Sequence, residues 1–522
     1  MKKTSLILGL VAFLSFSSAG QSLSDEAGQK ALSNIERAMA VADAAWASSI
    51  KGTASNMYMT DTYNTQNGSV SGPSDVWPYT AAIEAHNSIL EALEGIKEVE
   101  TELYNENFSK YKTRLDNLID NLEYYRGTYR LSSYATSNKE WSPYAVPRAN
   151  ARGKANVSGI LNVYDDQMWL ARELIRAYRL TDNEEYLDLA AYLTDYVLEG
   201  WDCWVDENGE EYGGITWGPG YNSKHACSNA PIIQPLVWLS DIYKDTDETV
   251  VYNYRNASND VVKEEIPRSQ YYLDFAKKIY DWQKKKLMHN TGVYWDMMGA
   301  DGKIIVTRGY RQHVDCGGPT GNFYSYNTGT MISGGAELYR VTEDEAYIND
   351  LNKTSQASLT QFAKYVRKQN SYEFNTDAVA TSGFNTWFNN VPMRSYVDAY
   401  PFSTNSSANL GLTSFQKTLD YAFENHNRNN LLPIHLVEVW GTEVVTKAFH
   451  QFTFASQYAG LATWLLSKDD NSGVEDVRVD GASDNDEVYS ISGRHIGPLK
   501  NVRESLPRDI YVVGHQKTVL GH

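Results

Sequence analysis

The sequence predicts an all-α fold, a ring of six helical hairpins, with a small β appendage at its C-terminal end. Three observations carry this. Apolar residues recur at helical spacing from about Asp25 to Ser467. A helix–turn–helix segment, AYRLTDNEEYLDLA at Ala177–Ala190, recurs as LYRVTEDEAYINDL at Leu338–Leu351. Past Asp469 the helical pattern gives way to short β-branched runs.

The strongest helix signal follows Val163. Met168, Ala171, Ile175 and Tyr178 fall at helical intervals, with Arg172, Glu173, Arg176 and Arg179 between them. The pattern stops at LTDNEE, where Thr181 or Asp182 can cap a second helix that carries Glu184 and Glu185 in its first turn. In the repeat, Tyr178, Arg179, Thr181 and Tyr186 match Tyr339, Arg340, Thr342 and Tyr347, and a looser third copy is IYKDTDE at Ile242–Glu248. Helix pairs of this kind must stack to bury their faces. Further helices are expected over Asp25–Ser49, Trp77–Glu98, Asn105–Tyr125, Ser355–Asn370, Ser406–His426 and Glu443–Leu466. An open solenoid fits less well, because the repeats are irregular and the links long. Those links, YGGITWGPGYNSKHACSNAP, HVDCGGPTGNFYSYNTGTM and NTWFNNVPMRSYVDAYPFSTN, are rich in Gly, Asn and aromatics, as binding loops are. In the appendage, strands are expected at Glu487–Ser492, Asp509–Val513 and Lys517–Leu520. The domain plan is thus 1–20 a leader, 21–468 the helical ring, and 469–522 a linker with short strands.

Composition narrows the function. A net charge of −18 over 522 residues excludes a nucleic-acid partner, which needs clustered cations. Lys284–Lys286 reads as a solvated helix face. Thirty-seven Tyr and 13 Trp suggest a surface or cleft lined with amphipathic rings. Lys2 and Lys3 precede an apolar run, Leu6–Phe16, and small residues up to Gly20, the pattern of a secretory leader too short to span a bilayer. With no Cys before Cys203 and no apolar tail, a lipid anchor is not expected. The reading is an exported protein, periplasmic or extracellular, without a membrane span and acting as a monomer. Cys203, Cys227 and Cys316 permit one disulfide at most. His225, Cys227, His313 and Cys316 match no standard zinc spacing, so no metal and no cofactor is expected.

The adjacent acids Asp165 and Asp166, in YDDQMW at the start of that strongest helix, have two readings. Acids in a first turn gain a few tenths up to about 1 kcal/mol from the helix dipole. Alternatively they are a catalytic pair. Their flanks, Val163, Met168 and Trp169, are apolar, and two buried carboxylates repel unless something compensates. Retaining glycosidases place two carboxyls about 5–5.5 Å apart. Side chains on neighbouring Cα atoms about 3.8 Å apart can diverge to that separation.

YDDQMWLARELIRAYRLTDNEEYLDLA, GGITWGPGYNSKHACSNAP and YSYNTGTMISGGAELYRVTEDEAYI together resemble the signature blocks of glycoside hydrolase family 76, the endo-α-1,6-mannanases. The resemblance covers about Asp25 to Ser467. It implies an (α/α)6 barrel and retaining hydrolysis of α-1,6-linked mannan, with Asp165 as nucleophile and Asp166 as general acid/base. It also implies substrate-binding roles for Gln167, Trp77, Trp217, Lys224, Asn229, Tyr326 and Asn327. His225 departs from the family pattern, which shows Asn there. The tail VYSISGRHIG…LPRDIYVV resembles the end of a C-terminal sorting module, and a purely structural hairpin is an equal reading. Three other functions share such a barrel: a non-catalytic glycan-binding protein, a transglycosidase, and a polysaccharide lyase. A lyase would need cations such as Arg308, Arg311 and His313 for an acidic sugar.

Overall fold

The computed structural model describes residues 23, 25–299, 302–367, 371–374, 385–437, 440 and 445–468, and in the C-terminal segment 487–490, 495–502, 509–513 and 516–520. The leader at 1–20 and the linker from 469 lie outside the described residues. Twelve long helices follow one another among the described residues: α1 Glu26–Ser49, α2 Val76–Ile96, α3 Thr101–Asn121, α4 Tyr164–Thr181, α5 Glu184–Leu198, α6 Ile233–Tyr243, α7 Arg268–Leu287, α8 Ser325–Thr342, α9 Glu345–Phe362, α10 Asn385–Ala399, α11 Ser407–His426 and α12 Ala448–Ser467. No helix among them is long and apolar enough to cross a membrane.

Even-numbered helices form the inner wall. α2, α4, α6, α8 and α10 pack in that order, each against the next. α12 closes the ring. Its Ser456 bonds Ser88 of α2 (3.0 Å), and its Gly460 faces Met393 of α10. The odd helices back them as hairpin partners, α3 on α2, α5 on α4, α7 on α6, α9 on α8 and α11 on α10. This is an (α/α)6 barrel. The layering explains the burial: α8 and α12 are buried around most of their circumference, whereas α7 is apolar on one face and ends in Lys284–Lys286. Three cations there suit the negative end of the helix dipole.

The repeated hairpins share one turn. Asp182 and Glu343 end α4 and α8 in the left-handed region (φ 53° and 56°), and Asn183 and Asp344 then cap α5 and α9 through their side chains. The expected caps Thr181 and Asp182 are thereby corrected: the Thr181 hydroxyl bonds Ala177 O, and Asp182 makes the bend. Other boundaries move too. The helix expected at Ser355–Asn370 is the second half of α9, which stops at Phe362 and passes into an antiparallel hairpin, Ala363–Val366 with Ser371–Phe374. The last barrel helix begins at Ala448 rather than Glu443, because Val445–Lys447 pairs as a strand with Thr62–Asn64. Much of the stretch expected as the third loop is α10, with Pro392 inside it. The second loop likewise ends in the first turns of α8.

Chain packing separates the barrel, ending at Leu466, from a second unit that begins at Ser467. The second unit holds an antiparallel four-stranded sheet in the order His495–Pro498, Glu487–Ser490, Asp509–Val513, Gln516–Leu520. The first of these is a strand the sequence reading did not include.

Candidate active site

The site is built on the first turn of α4. Val163, at its N-cap, offers no side-chain acceptor, so the helix start is fixed from outside. Tyr164 N–H donates to Trp217 O (2.8 Å), tying the 213–223 loop to the helix. Gly218 permits this approach, since a Cβ there would lie 2.5 Å from Asn162 O. From the other side the buried Gln167 amide clasps the Tyr144 backbone, accepting from its N–H (2.9 Å) and donating to its carbonyl (2.8 Å).

This frame holds Asp165 and Asp166 in a poorly hydrated position. Asp165 is half-buried. Its Oδ2 accepts from Trp217 Nε1 (3.3 Å), and its Oδ1 is buried without a hydrogen-bond partner among the described residues. Burial pushes its carboxyl up to about 6, although the facing Cys227 thiol and the Trp217 indole favour the charged form. Asp166 is only 6% exposed. Burial, then the charge of Asp165, then that of Asp75 hold it well above the ordinary carboxylate range. Among the described residues no cation forms a salt bridge with either acid. The arrangement favours one ionised and one protonated carboxyl near neutral pH, with the proton on Asp166.

Aromatic side chains from four inner helices, α4 among them, form one cluster. Trp387 of α10 meets Trp77 of α2 and Trp169 of α4, each at 5.0 Å between ring centroids. Phe388 lies 4.3 Å from Tyr326 of α8, and Tyr326 in turn feels the charge of Asp165. On the loop side, Trp217 stacks on His225 (4.6 Å, 22°) and touches Tyr221 (4.5 Å). His225, the departure from the family pattern, thus supports the Trp217 ring. A further acid, Asp296, is pushed up to about 6 by burial and accepts from Asn327 (3.2 Å).

Of the residues expected to bind substrate, Trp217 bonds Asp165, Tyr326 feels its charge, Trp77 joins the ring cluster through Trp387, and Asn327 bonds Asp296. For the other three the polar atoms are engaged within the protein. Gln167 is spent on Tyr144. Lys224 is buried on Asp202 (2.9 Å) and on Gly213 O (2.5 Å). Asn229 bonds both backbone groups of Ile215 and the His225 carbonyl. Arg311, the cation a lyase would need, is likewise buried among the carbonyls of Pro219 and Tyr221. The three cysteines are free thiols, so the possible disulfide is not formed. His313 pairs with Asp202 (2.7 Å) and stacks on Tyr212, and Cys316 donates to Asn222 O (3.2 Å). Asp296, Asp75 and Trp387 escaped the sequence reading. The local sign for each, an acid or a ring amid apolar or amide residues (VYWDMM, SDVW, NTWF), gives no hint that they converge.

A ring of six helical hairpins with an uncompensated acid pair at the mouth of an inner helix and aromatic walls around it defines a carbohydrate-active barrel of the glycoside hydrolase type. The chain belongs to glycosyl hydrolase family 76, whose model matches residues 42–248 and 265–430. Solved structures share the fold. A family 76 mannosidase, Bt3792 from Bacteroides thetaiotaomicron, superposes with a TM-score of 0.58 at 18% identity, over 84% of this chain and 100% of that one. The GH76A α-1,6-mannanase from a Salegentibacter species gives 0.53 at 17%, over 83% and 99%. An inactive variant of the latter, with two aspartates changed to asparagine, is known in complex with α-1,6-mannotriose. A curated relative, the mannan endo-1,6-alpha-mannosidase DFG5 of Candida albicans, is 23% identical over 202 residues. That match spans 38% of either chain.

Proposed function

We propose that the protein is an exported, retaining endo-α-1,6-mannanase in which Asp165 is the nucleophile and Asp166 the general acid/base. The unequal electrostatics of the pair carry this reading. Asp165 is the more easily ionised of the two. Asp166 is held protonated by burial and by its neighbour's charge. Asp166 gives its proton to the glycosidic oxygen as the C1–O bond breaks, and the Asp165 carboxylate bonds to C1. Water then attacks C1, releasing Asp165, and its proton returns to Asp166. The half-buried rings of Trp77 and Trp217 supply faces for sugar stacking, with Trp387 packed behind Trp77. Like charges at adjacent positions serve this cycle directly, because the charge of one acid keeps the other's proton in place until it is needed. The basic and apolar leader sequence supports export.

The test is product analysis on debranched α-1,6-mannan, with NMR of the first anomer formed. Wild type is expected to release short manno-oligosaccharides with the α configuration retained. Asp165→Asn and Asp166→Asn are each expected to lose at least about 10²–10⁴-fold in rate. Equal cutting by the variants, or a β-anomer formed first, defeats the mechanism. Mannan that is bound but left intact by wild type points to a glycan-binding protein instead.

A further inference from the structure

The family match breaks between residues 248 and 265. That interval is nearly coextensive with an antiparallel hairpin, Thr249–Arg255 with Val261–Pro267, placed between α6 and α7. Its far end is fastened to the barrel. Arg255 Nε donates to Tyr134 O (2.9 Å), Asn253 Nδ2 reaches Thr136 (3.2 Å), and the Arg255 guanidinium lies 3.8 Å over the Trp204 ring. Held in this way, the hairpin, α5, α7 and residues 133–139 border an open cavity of about 340 Å³ on the outer helices, whereas the acid pair belongs to the inner ring.

The lining has two parts. Trp201, Tyr252, Tyr271 and Phe275 supply rings, with Tyr252, Tyr271 and Phe275 in mutual contact at 5.0–5.6 Å. These last three also border a second cavity of about 300 Å³. The ionic part is balanced: Arg268 pairs with Asp195 (3.4 Å) and Lys139 with Glu199 (3.5 Å). A charged ligand would meet its own sign as often as the opposite one. A neutral polyhydroxylated ligand finds donors, acceptors and aromatic faces together. The volumes sit at the small end of the roughly 300–1,000 Å³ typical of ligand pockets, which suits individual sugar units.

We infer that the two cavities sharing the Tyr252–Tyr271–Phe275 wall form a second, non-catalytic glycan site for neutral hexopyranose units. On the mannanase reading, on which the choice of sugar rests, these units belong to the α-1,6-mannan chain. Such a site holds polysaccharide to the barrel flank and adds nothing to the turnover of substrates too short to reach it.

Affinity electrophoresis in gels containing debranched α-1,6-mannan tests this, using the full chain with Asp165→Asn and Asp166→Asn so that the polymer stays uncut. Adding Tyr252→Ala is expected to weaken retardation about tenfold, the loss of one aromatic platform. Lys139→Ala, at the exposed rim, is expected to weaken it less, and it decides the matter if Tyr252→Ala fails to fold by circular dichroism. In the otherwise wild-type chain, Tyr252→Ala should leave α-1,6-mannotriose hydrolysis unchanged. Retardation equal to the parent's in the folded variants overturns the site even if wild type cuts mannan. Conversely, a wild type indifferent to mannan but retarded through Tyr252 by a neutral β-glucan or galactan keeps the site and sinks the mannanase reading.

Discussion

Asp165 and Glu173 sit a little over two turns apart on α4, the first half-buried and the second fully so, and their carboxyls are shifted in opposite directions. Burial pushes both up. At Glu173 it is outweighed by the guanidinium charges of Arg176, Arg172 and Arg394 and by the Asn87 amide, so the carboxyl falls to about 2. The contacts are direct, at 2.5 Å to Arg172 and 2.7 Å to Arg176. The network extends around the inner ring, since Arg394 of α10 meets Glu84 of α2 and Gln234 of α6 meets Asp398 of α10. At the Asp165 end a weak thiol and an indole take the place of cations. One helix therefore carries two solutions to buried charge. Deep in the barrel the charge is neutralised and ties the inner helices together; at the mouth it is left to the proton.

The largest way to break this contrast is to remove the compensated acid. Glu173→Gln leaves Arg172 and Arg176 buried with too little negative charge around them, and breaking a buried pair costs about 3–5 kcal/mol. Urea unfolding should show the loss in full. A change below about 1 kcal/mol would mean that the network relaxes onto Glu84 and Glu91 and that Glu173 is not its keystone.

The opposite end should respond with the opposite sign. Asp165 titrates near 6 in the fold against an ordinary 3.8, so the folded state binds more protons in that window and stability falls as pH rises through it. Glu173, lowered from 4.5 to about 2, contributes stability that is present above about 4.5 and lost as pH falls through about 2. Asp166, raised further still, adds to the effect of Asp165. Replacing both Asp165 and Asp166 by Asn removes the cost of the pair and leaves the contribution of Glu173 untouched. The double variant should exceed wild type by at least about 2–3 kcal/mol near pH 7.5, the contribution of Asp165 alone, and by much less near pH 4. Unfolding curves at both values decide it; an unchanged or larger gain at the acid value would show that the pair is not under strain when ionised.

The same contrast governs what the sequence revealed. α4, although an inner helix, was legible because Leu170, Leu174 and Ile175 keep helical spacing between charged residues, and α5 because an outer helix shows water a polar face. α10 was not, since an inner helix turns polar residues toward the barrel interior: Asn389, Asn390 and Ser395 are buried and bonded, which erases the usual polar-out signal. The acid doublet stood out through its apolar flanks. The clasp of Gln167 on Tyr144, the engagement of Lys224 by Asp202 and the arrival of Asp296 beside Asn327 depend on contacts far apart in the chain, and no local spacing encodes them. Gln167, which follows the acid pair on α4, and Lys224 and Asn229 in the adjoining loop drew attention through the family resemblance. In the fold Gln167 and Asn229 hold backbone groups, and Lys224 holds Asp202 and the Gly213 carbonyl.

The smallest prediction sharpens the mouth of the barrel. The Cys227 thiol faces Asp165 and favours its carboxylate, opposing the larger effect of burial. Cys227→Ala removes that support and leaves the Trp217 indole and the backbone N–H groups of Asp165 and Asp166 to favour the charge. Under the proposed mechanism Asp165 must be ionised to attack, so the acid limb of the kcat/KM profile reports its titration in the free enzyme. That limb should move upward from about 6 by a few tenths of a unit, the size expected of a weak thiol donor. The rate on the plateau should hold, because Asp166 and its proton are untouched. A limb that stays in place while the plateau drops would make Cys227 a packing residue for the Trp217–His225 stack. A limb that moves downward would mean the thiol burdens Asp165 by excluding water from it, which reverses the role assigned to it here.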